Sequence, residues 1–450
     1  MKKVIALLFC AFLCFGVVKA PASAMSFQPD FSLSSQSDEL VSLDTDAVLF
    51  QKNPDKRMEP ASLTKIMTFI VISEQVKDLD KTRITVKKEV LDKLLGTGSS
   101  MSGLKSGDVL TAYQLACCML IRSGNDAAMV LADYASQGNT DAFVDRMNQE
   151  AARLGCKNTH FANPDGLHDP NHYTSASDFM KIAKYAMKLP HFKEITAKEV
   201  YTYKPVGGSE SGQTRTLWTT NLLIISRTDN PYYYKYANGT KTGHTDESGY
   251  CLVSTASADG YSYLCVVLGV PSVDKNGKEI AQRGEMTDSR NLLKWALNSF
   301  EWKKILRKDD LCGEVNLNNA WNKDRLLLIS SQEYSAILPK NLSSDSIVVT
   351  RNIPKSVDAP VKKGQKIGTA ALSCGNQRLA TIDLVASESV EQSALLKTAG
   401  IIKSIFTSVW FIVIVSIILA LTALYTVLFL YTNQKRRKRK LRKVKRYRKF

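Results

Sequence analysis

Three short polar motifs hold the residues of this chain that are most able to do chemistry. In chain order they are Ser62-Leu63-Thr64-Lys65, Ser123-Gly124-Asn125 and Lys241-Thr242-Gly243. Together they supply a hydroxyl nucleophile, an amine able to accept its proton, a second hydroxyl, an amide and a cation. Such a set is suited to acyl transfer through a covalent serine ester.

The first motif stands where a helix is expected to begin. Ser62 follows Pro60-Ala61 and leads into an apolar run with helical spacing. At a helix N-terminus, free backbone N–H groups and the positive end of the dipole favour a serine hydroxyl that loses its proton. Lys65, three residues on, lies on the same helix face. To act as a base it must be partly neutral, and we expect burial and the nearby cation Lys241 to lower its pKa.

Each motif has a plainer interpretation when taken alone. The S-x-x-K spacing recurs at Ser102/Lys105 and Ser272/Lys275, where neighbouring glycines argue against a helix start and favour chance matches on loops. Ser62 alone could cap a helix, and the other two motifs could be ordinary turns. The chemical interpretation therefore depends on the three motifs occurring together.

The segments around the motifs alternate between strand and helix patterns. Their periodicity predicts helices from Ser62 onward and over 111–135, 140–154, 177–187 and 291–300, with a break at 123–125. It predicts strands at 46–52 and in a hairpin formed by 250–254 and 263–268. Strands at both ends with helices between them predict an α/β fold assembled from distant segments.

The segments that follow residue 310 show a different sequence pattern. Residues 311–388 contain short strand-like runs separated by turn residues and no catalytic set, which predicts a small β-rich domain with a spacing or docking role. Residues 389–404 are amphipathic and are predicted to form a helical linker.

Both ends of the chain carry targeting signals. Residues 1–24 combine a basic start, an apolar run and Ala22-Ser23-Ala24, typical of a secretory signal peptide cut after Ala24, with an N-terminal anchor as the alternative. Residues 405–431 are apolar and without charge, enough to cross a membrane once. The basic tail 432–450 contains no acidic residue and is predicted to stay in the cytoplasm, which makes the catalytic part extracytoplasmic.

Composition limits the possible partners. The formal net charge is +17, but the leader and the tail account for most of it and the body between them is nearly neutral. We therefore expect no nucleic-acid partner. The seven cysteines after the leader include no C-x-x-C pair, so most are interpreted as buried thiols, with one disulfide left open.

No metal or cofactor is expected. His168 and His172 have the spacing of a zinc pair, but Pro170 lies between them and no glutamate follows His168, so the metalloprotease motif is absent. We interpret both histidines as structural loop residues.

With these residues in place, the chain resembles the serine D-alanyl-D-alanine carboxypeptidases, the low-molecular-mass penicillin-binding proteins of peptidase family S11. The resemblance is strong over about 38–300, the expected catalytic domain, and weaker in the β-rich segment. It is carried by five blocks at 60–68, 98–101, 123–127, 163–174 and 241–245. It implies an antiparallel sheet flanked by helices with a helical subdomain, as in serine β-lactamases, followed by a small all-β domain and a C-terminal transmembrane helix.

The resemblance also implies a role for each residue of the first two motifs. Ser62 attacks the carbonyl of the penultimate D-alanine, and Lys65 accepts its proton. Ser123 relays that proton toward the leaving D-alanine. Asn125 positions the substrate amide.

The third motif is implied to hold the other end of the substrate. Lys241 and Thr242 grip the terminal carboxylate, and Gly243 permits a close backbone approach. The backbone N–H groups of Ser62 and His244 form the oxyanion hole.

These roles imply a membrane-anchored, penicillin-sensitive carboxypeptidase. It would trim stem peptides of peptidoglycan that end in D-Ala-D-Ala, and β-lactams would acylate Ser62. Two alternatives stay open: a β-lactamase-like hydrolase, and a catalytically idle β-lactam sensor or wall-binding protein.

Overall fold

A computed structural model describes residues 27–343, 346–374 and 377–447. The predicted signal peptide at 1–24 lies outside the described residues, as does the end of the basic tail at 448–450. The described chain divides into two units. One comprises the chain up to Lys303 with Ala336–Leu342, and the other comprises Lys304–Ser335 with Ser343 to the C-terminus.

The first unit is built on a five-stranded antiparallel sheet with the order β2-β1-β9-β8-β7. These strands are β1 (Ser37–Ser42), β2 (Val48–Lys52), β7 (Ala237–Thr245), β8 (Gly249–Ala258) and β9 (Tyr261–Val270). Short strands pair outside this sheet, namely β3 (Arg83–Thr85) with β4 (Val109–Thr111) and β5 (Val200–Tyr203) with β6 (Arg215–Trp218). The central sheet therefore joins the start of the unit to its end, as the sequence predicts.

Helices cover the sheet and form the rest of the unit. They are α1 (Lys65–Gln75), α2 (Lys88–Asp92), α3 (Ala112–Ile121), α4 (Asn125–Ala135), α5 (Thr140–Arg153), α6 (Ala176–Ala186), α7 (Phe192–Thr196) and α8 (Gly284–Ser299). 3-10 turns lie at Ala61–Thr64 and Leu222–Ile224. Helix α8 begins seven residues before the predicted 291–300 segment, with Glu285 in its first turn, where a carboxylate favours the helix dipole.

The sheet has a hydrophobic core on each face. Along β9, Leu264, Val266 and Leu268 belong to the core that contains α1 and α4. The alternate residues Cys265 and Val267 belong to the core that contains α8. Side chains alternate between the faces of a strand, so the continuous apolar run of β9 is explained by burial on both sides.

The break between α3 and α4 is set by local chemistry. Thr111 and Gln114 form a capping box that starts α3, and Ser123 adopts a φ of +65° that ends helical geometry. In the first turn of α4, the Asp126 carboxylate accepts hydrogen bonds from the backbone N–H groups of Ser102 and Leu104 at 2.9 and 3.1 Å. The predicted break at 123–125 is confirmed, and it ties α4 to the 102–104 loop.

The second unit contains a six-stranded sheet with the order β14-β16-β17-β12-β11-β15. Its strands are β11 (Leu311–Asn318), β12 (Arg325–Ser330), β14 (Ile347–Asn352), β15 (Ser356–Asp358), β16 (Lys366–Cys374) and β17 (Gln377–Ala386). Buried residues that include Leu326, Leu328 and Leu384 form its core. Two other strands, β10 (Phe300–Leu306) and β13 (Tyr334–Pro339), pair with each other outside this sheet.

Two helices follow this sheet. Ser393 caps α9 (Ala394–Thr407) by accepting a hydrogen bond from the N–H of Leu396. Ser408 is extended, and α10 (Val409–Tyr447) follows it. Residues 409–438 of α10 are long and apolar enough to cross a membrane. The break places residues 405–407, predicted from sequence to lie in the span, at the end of α9.

Candidate active site

Ser62 lies on the tight turn that precedes α1. The 3-10 turn Ala61–Thr64 starts with Ala61 at a φ of +47°, a region that non-glycine residues rarely adopt. The N–H of Lys65 then reaches back to the carbonyls of Leu63 and Ser62. The serine therefore stands at the tip of α1, as the sequence predicts, with a 3-10 turn in place of the first α-helical turn.

Lys65 is completely buried and contacts the serine hydroxyl. Its Nζ lies 2.8 Å from Ser62 Oγ, 2.8 Å from Asn125 Oδ1 and 2.5 Å from the carbonyl oxygen of Asp165. Burial is the main effect on this amine and lowers its pKa to about 8, while the carboxylates of Asp165 and Asp126 act in the opposite direction. The expected effect of burial is present, and the expected charge interaction between Lys65 and Lys241 appears as a lowering of the Lys241 pKa.

Asn125 bridges Lys65 and a buried aspartate. Its Oδ1 accepts from Lys65 and its Nδ2 donates to Asp165 Oδ2 at 3.0 Å. Burial raises the pKa of the Asp165 carboxyl, and the Lys65 charge opposes that shift. Asp165 thus orients the amide with its side chain and the amine with its backbone carbonyl. Sequence reasoning gave Asp165 no role, although its Asn163-Pro164-Asp165-Gly166 turn was part of the matched block.

Ser123 and Lys241 form a second hydrogen-bonded pair. Lys241 Nζ donates to Ser123 Oγ at 2.8 Å and to the carbonyl of Thr242 at 2.7 Å. Burial, followed by the charge of Lys65, lowers the pKa of Lys241 well below its usual value. The structure therefore joins the second and third motifs across 118 residues of sequence. Thr242 Oγ1 lies 2.5 Å from Thr220 Oγ1, a partner that sequence reasoning missed.

Two glycines let neighbouring segments approach the serine turn. A Cβ at Gly166, whose φ is +84°, would lie 2.0 Å from the carbonyl oxygen of Ala61 and 3.0 Å from Ser62 N. A Cβ at Gly243 would lie 2.9 Å from the carbonyl oxygen of Pro60. No side chain fits at these distances. The third motif and the 163–166 turn thus hold the nucleophile turn by backbone contact.

A cavity of about 350 Å³ opens in front of these groups. Ser62, Asn125 and His244 line it, together with segments 97–100, 166–168 and 245–247. Lys65, Ser123, Lys241 and Thr242 are buried behind them. Some of the predicted site residues therefore line the cavity, and the others form hydrogen bonds in the buried layer next to it.

The two histidines of the zinc-like spacing lie in different surroundings. His172 is buried, its Nδ1 accepts from the N–H of Ala162 at 3.3 Å, and its Nε2 lies 2.8 Å from Thr64 Oγ1. Burial lowers the pKa of His172 to about 4. His168 instead lies 3.0 Å from Glu59 at the mouth of the cavity. Glu59, His168 and Glu247 place ligand atoms within 4.8 Å of one another, whereas His172 has no part in this group.

The chain matches two known protein families. Residues 23–272, more than half of the chain, match the model of the D-alanyl-D-alanine carboxypeptidase family of S11 peptidases. The chain belongs to this family. Residues 300–392 also match the C-terminal domain of penicillin-binding protein 5. The α/β fold predicted from sequence, with its β-rich C-terminal part, is confirmed.

Individual relatives span most of the chain. The D-alanyl-D-alanine carboxypeptidase DacF of Bacillus subtilis is 28% identical over 357 residues, which covers 79% of this chain and 86% of DacF. The D-alanyl-D-alanine carboxypeptidase of Streptomyces sp. K15 is 34% identical over 236 residues, 51% of this chain and 78% of that protein. The family resemblance thus extends well beyond the three motifs.

Solved structures give the same result. The crystal structure of the carboxypeptidase DacD from Francisella tularensis has a TM-score of 0.64 and 28% identity, covering 81% of this chain and 95% of DacD. Penicillin-binding protein 5 from Haemophilus influenzae has a TM-score of 0.60 and 28% identity, covering 81% of this chain and all of that protein.

We predict that Gly166→Ala impairs the nucleophile turn more than it impairs folding. The methyl group would meet backbone atoms of Ala61 that cannot move without displacing Ser62. The rate of covalent modification by benzylpenicillin, followed by mass spectrometry, should fall by roughly a hundred-fold, since small misplacements of reacting groups have such effects.

Gly155→Ala is the matched control for this variant. Gly155 also has a positive φ, +77°, but no atom lies near its missing Cβ. Gly155→Ala should lose only stability, through its backbone conformation. Equal rates in the two variants would contradict the role given to Gly166.

Proposed function

We propose that this chain is a serine D-alanyl-D-alanine carboxypeptidase that uses Ser62 as its nucleophile. It removes the terminal D-alanine from peptidoglycan pentapeptide stems through an acyl-enzyme and is inhibited by penicillin. The main support is the 2.8 Å contact between Ser62 Oγ and the completely buried amine of Lys65, at the wall of the cavity. The names of its relatives as D-alanyl-D-alanine carboxypeptidases agree with this activity.

Acylation begins when Ser62 Oγ attacks the carbonyl carbon of the penultimate D-alanine and its proton passes to Lys65 Nζ. A neutral amine is needed for this transfer, and burial supplies it by lowering the pKa of Lys65 to about 8. Backbone N–H groups of Ser62 and His244 stabilise the negative oxygen of the tetrahedral intermediate. The C–N bond then breaks and leaves an ester on Ser62.

The second pair serves the leaving group and the substrate carboxylate. Ser123, hydrogen-bonded to Lys241, conveys a proton to the departing D-alanine nitrogen. Lys241 and Thr242 hold the terminal carboxylate near Gly243, and Asn125 binds the substrate amide. Water next attacks the ester, the stem tetrapeptide leaves and Ser62 regains its proton. β-Lactams form the same ester but keep their leaving group attached, so water reaches it slowly.

We further propose how the chain is arranged at the membrane. Residues 38–300 form the catalytic domain and 311–388 a small β-rich domain that sets its distance from the surface. Residues 389–404 link it to a single span within α10, whose residues 409–431 carry no charge. The basic residues of 432–450 remain in the cytoplasm, and the catalytic domain faces the wall.

Replacing the nucleophile tests the activity directly. Ser62→Ala should release no D-alanine from a diacyl-D-Ala-D-Ala peptide and bind no benzylpenicillin covalently, a loss of at least roughly a thousand-fold in kcat. Ser272→Ala, in another S-x-x-K sequence, should leave both reactions intact. Release of D-alanine by the Ser62→Ala protein at the unmutated rate would place the nucleophile elsewhere.

The pH profile tests Lys65 as the base. Below a pKa of about 8 the amine is increasingly protonated, so the acylation rate constant should fall about tenfold for each pH unit and level off above that pKa. Lys65→Arg should be inactive at every pH because a guanidinium keeps its proton. Lys105→Arg, in the second S-x-x-K sequence, should keep the normal profile, and a flat profile in the unmutated protein would refute this assignment.

Truncation tests the anchor. A chain ending after Ser408 lacks α10 and should leave the membrane fraction in a high-salt wash while keeping its carboxypeptidase activity. A chain ending after Thr432 loses only the basic tail and should stay in the membrane until detergent is added. Retention of the shorter chain after the wash would mean that the anchor lies elsewhere.

A further inference from the structure

The residue that follows the third motif is held by a stack of side chains outside the cavity. His244 lies in β7 directly opposite Tyr250 in β8. Their rings are stacked, with centroids 4.3 Å apart and an interplanar angle of 26°. His244 lines the cavity, whereas Tyr250 does not. Such directly opposed cross-strand pairs stabilise the local geometry of a sheet.

An arginine continues the stack. The guanidinium carbon of Arg283 lies 4.4 Å from the centroid of the Tyr250 ring, a cation–π distance. Its Nε donates to Glu285 Oε1 at 2.7 Å, and its backbone N–H donates to Tyr232 Oη at 2.9 Å. Arg283 is therefore fixed from three sides.

Glu285 anchors the stack in the protein interior. Its side chain is completely buried in the first turn of α8. Burial raises the pKa of this carboxyl, and Arg283 opposes the shift. Its Oε2 has no hydrogen-bond partner among the residues that the structure describes. The guanidinium of Arg283 thus contacts both the buried carboxyl of Glu285 and the ring of Tyr250.

We propose that Tyr250 and Arg283 are positioning residues for the acylation step. This role rests on the function proposed above: the stack fixes His244 and thereby points its backbone N–H at the oxyanion. Neither side chain lines the cavity, and each acts on the reaction only through His244. The stack connects the end of β7 to α8, and it orients a donor whose angle decides how well it stabilises developing charge.

The surroundings of the stack favour the neutral form of the His244 imidazole. Burial is the largest effect that lowers the pKa of His244, and the charge of Arg283 adds to it, while Asp246 and Glu279 act in the opposite direction. A neutral ring can lie on Tyr250 with the guanidinium near that same tyrosine, because two positive charges do not then repel each other.

The test uses the full chain in detergent and four variants of the stack. Tyr250→Leu removes the ring, whereas Tyr250→Phe keeps it; Arg283→Gln removes the charge, whereas Arg283→Lys keeps it. For each variant, kcat and KM for a diacyl-D-Ala-D-Ala peptide, the rate of acylation by benzylpenicillin and the melting temperature are measured. The NMR titration of His244 gives a readout that a purely structural role would not move.

A matched set of controls exists elsewhere in the first unit. Arg153 lies 4.7 Å from the Tyr185 ring and 2.6 Å from Glu150, so it repeats the tyrosine–arginine–glutamate arrangement without a histidine at a cavity. Tyr185→Leu and Arg153→Gln should leave kcat unchanged even where the melting temperature falls.

The expected result is a fall in kcat of about tenfold in Tyr250→Leu and Arg283→Gln, with KM within about twofold, since losing an oxyanion donor outright costs more than misaligning it. Tyr250→Phe should retain full activity, and the His244 pKa should rise in Arg283→Gln but not in Arg283→Lys. A kcat in both stack variants equal to that of the controls would overturn the inference. An unmutated protein that is neither acylated nor active would instead overturn the proposed function.

Discussion

Burial of the Lys65 amine is the constraint on which the rest of this site depends. An ammonium group removed from water loses hydration, and the cost is relieved when the group gives up its proton. Here the amine is completely buried and makes three polar contacts, to Ser62, Asn125 and the carbonyl of Asp165. All three partners can accept a hydrogen bond, so the amine is oriented while its pKa is low.

The surrounding elements exclude water from this amine and hold it in position. Helix α1 lies within the main core of the first unit, so Lys65 starts from a rigid support. The 163–166 turn closes over it, and Gly166 allows that turn to touch the backbone of Ala61. Gly243 likewise allows β7 to approach the backbone of Pro60 in the same segment. Close packing of this kind transmits small displacements directly to the nucleophile.

Sequence reasoning recovered the elements well where the apolar pattern was periodic. The hairpin of β8 and β9 and the interruption between α3 and α4 appear where they were predicted. It predicted the ends of helices less accurately where burial on several sides, and not a simple apolar period, set the sequence pattern. Helix α8 starts at Gly284, with Glu285 of its first turn buried and bonded to Arg283, and that burial depends on the tertiary structure. Likewise, Ser408 separates α9 from α10 without a proline or glycine to mark the break.

The amino-acid order alone determined the reactive groups, their motifs and the kind of reaction they suit, because residue types and short spacings are local properties. Only the tertiary structure decided which groups meet. It paired Ser123 with Lys241, placed Asp165 in contact with both Asn125 and Lys65, and brought two carboxylates close enough to oppose the lowering of the Lys65 pKa. Such pairings join residues up to 118 positions apart, and the pKa of each depends on the depth of burial, which no short stretch of sequence contains.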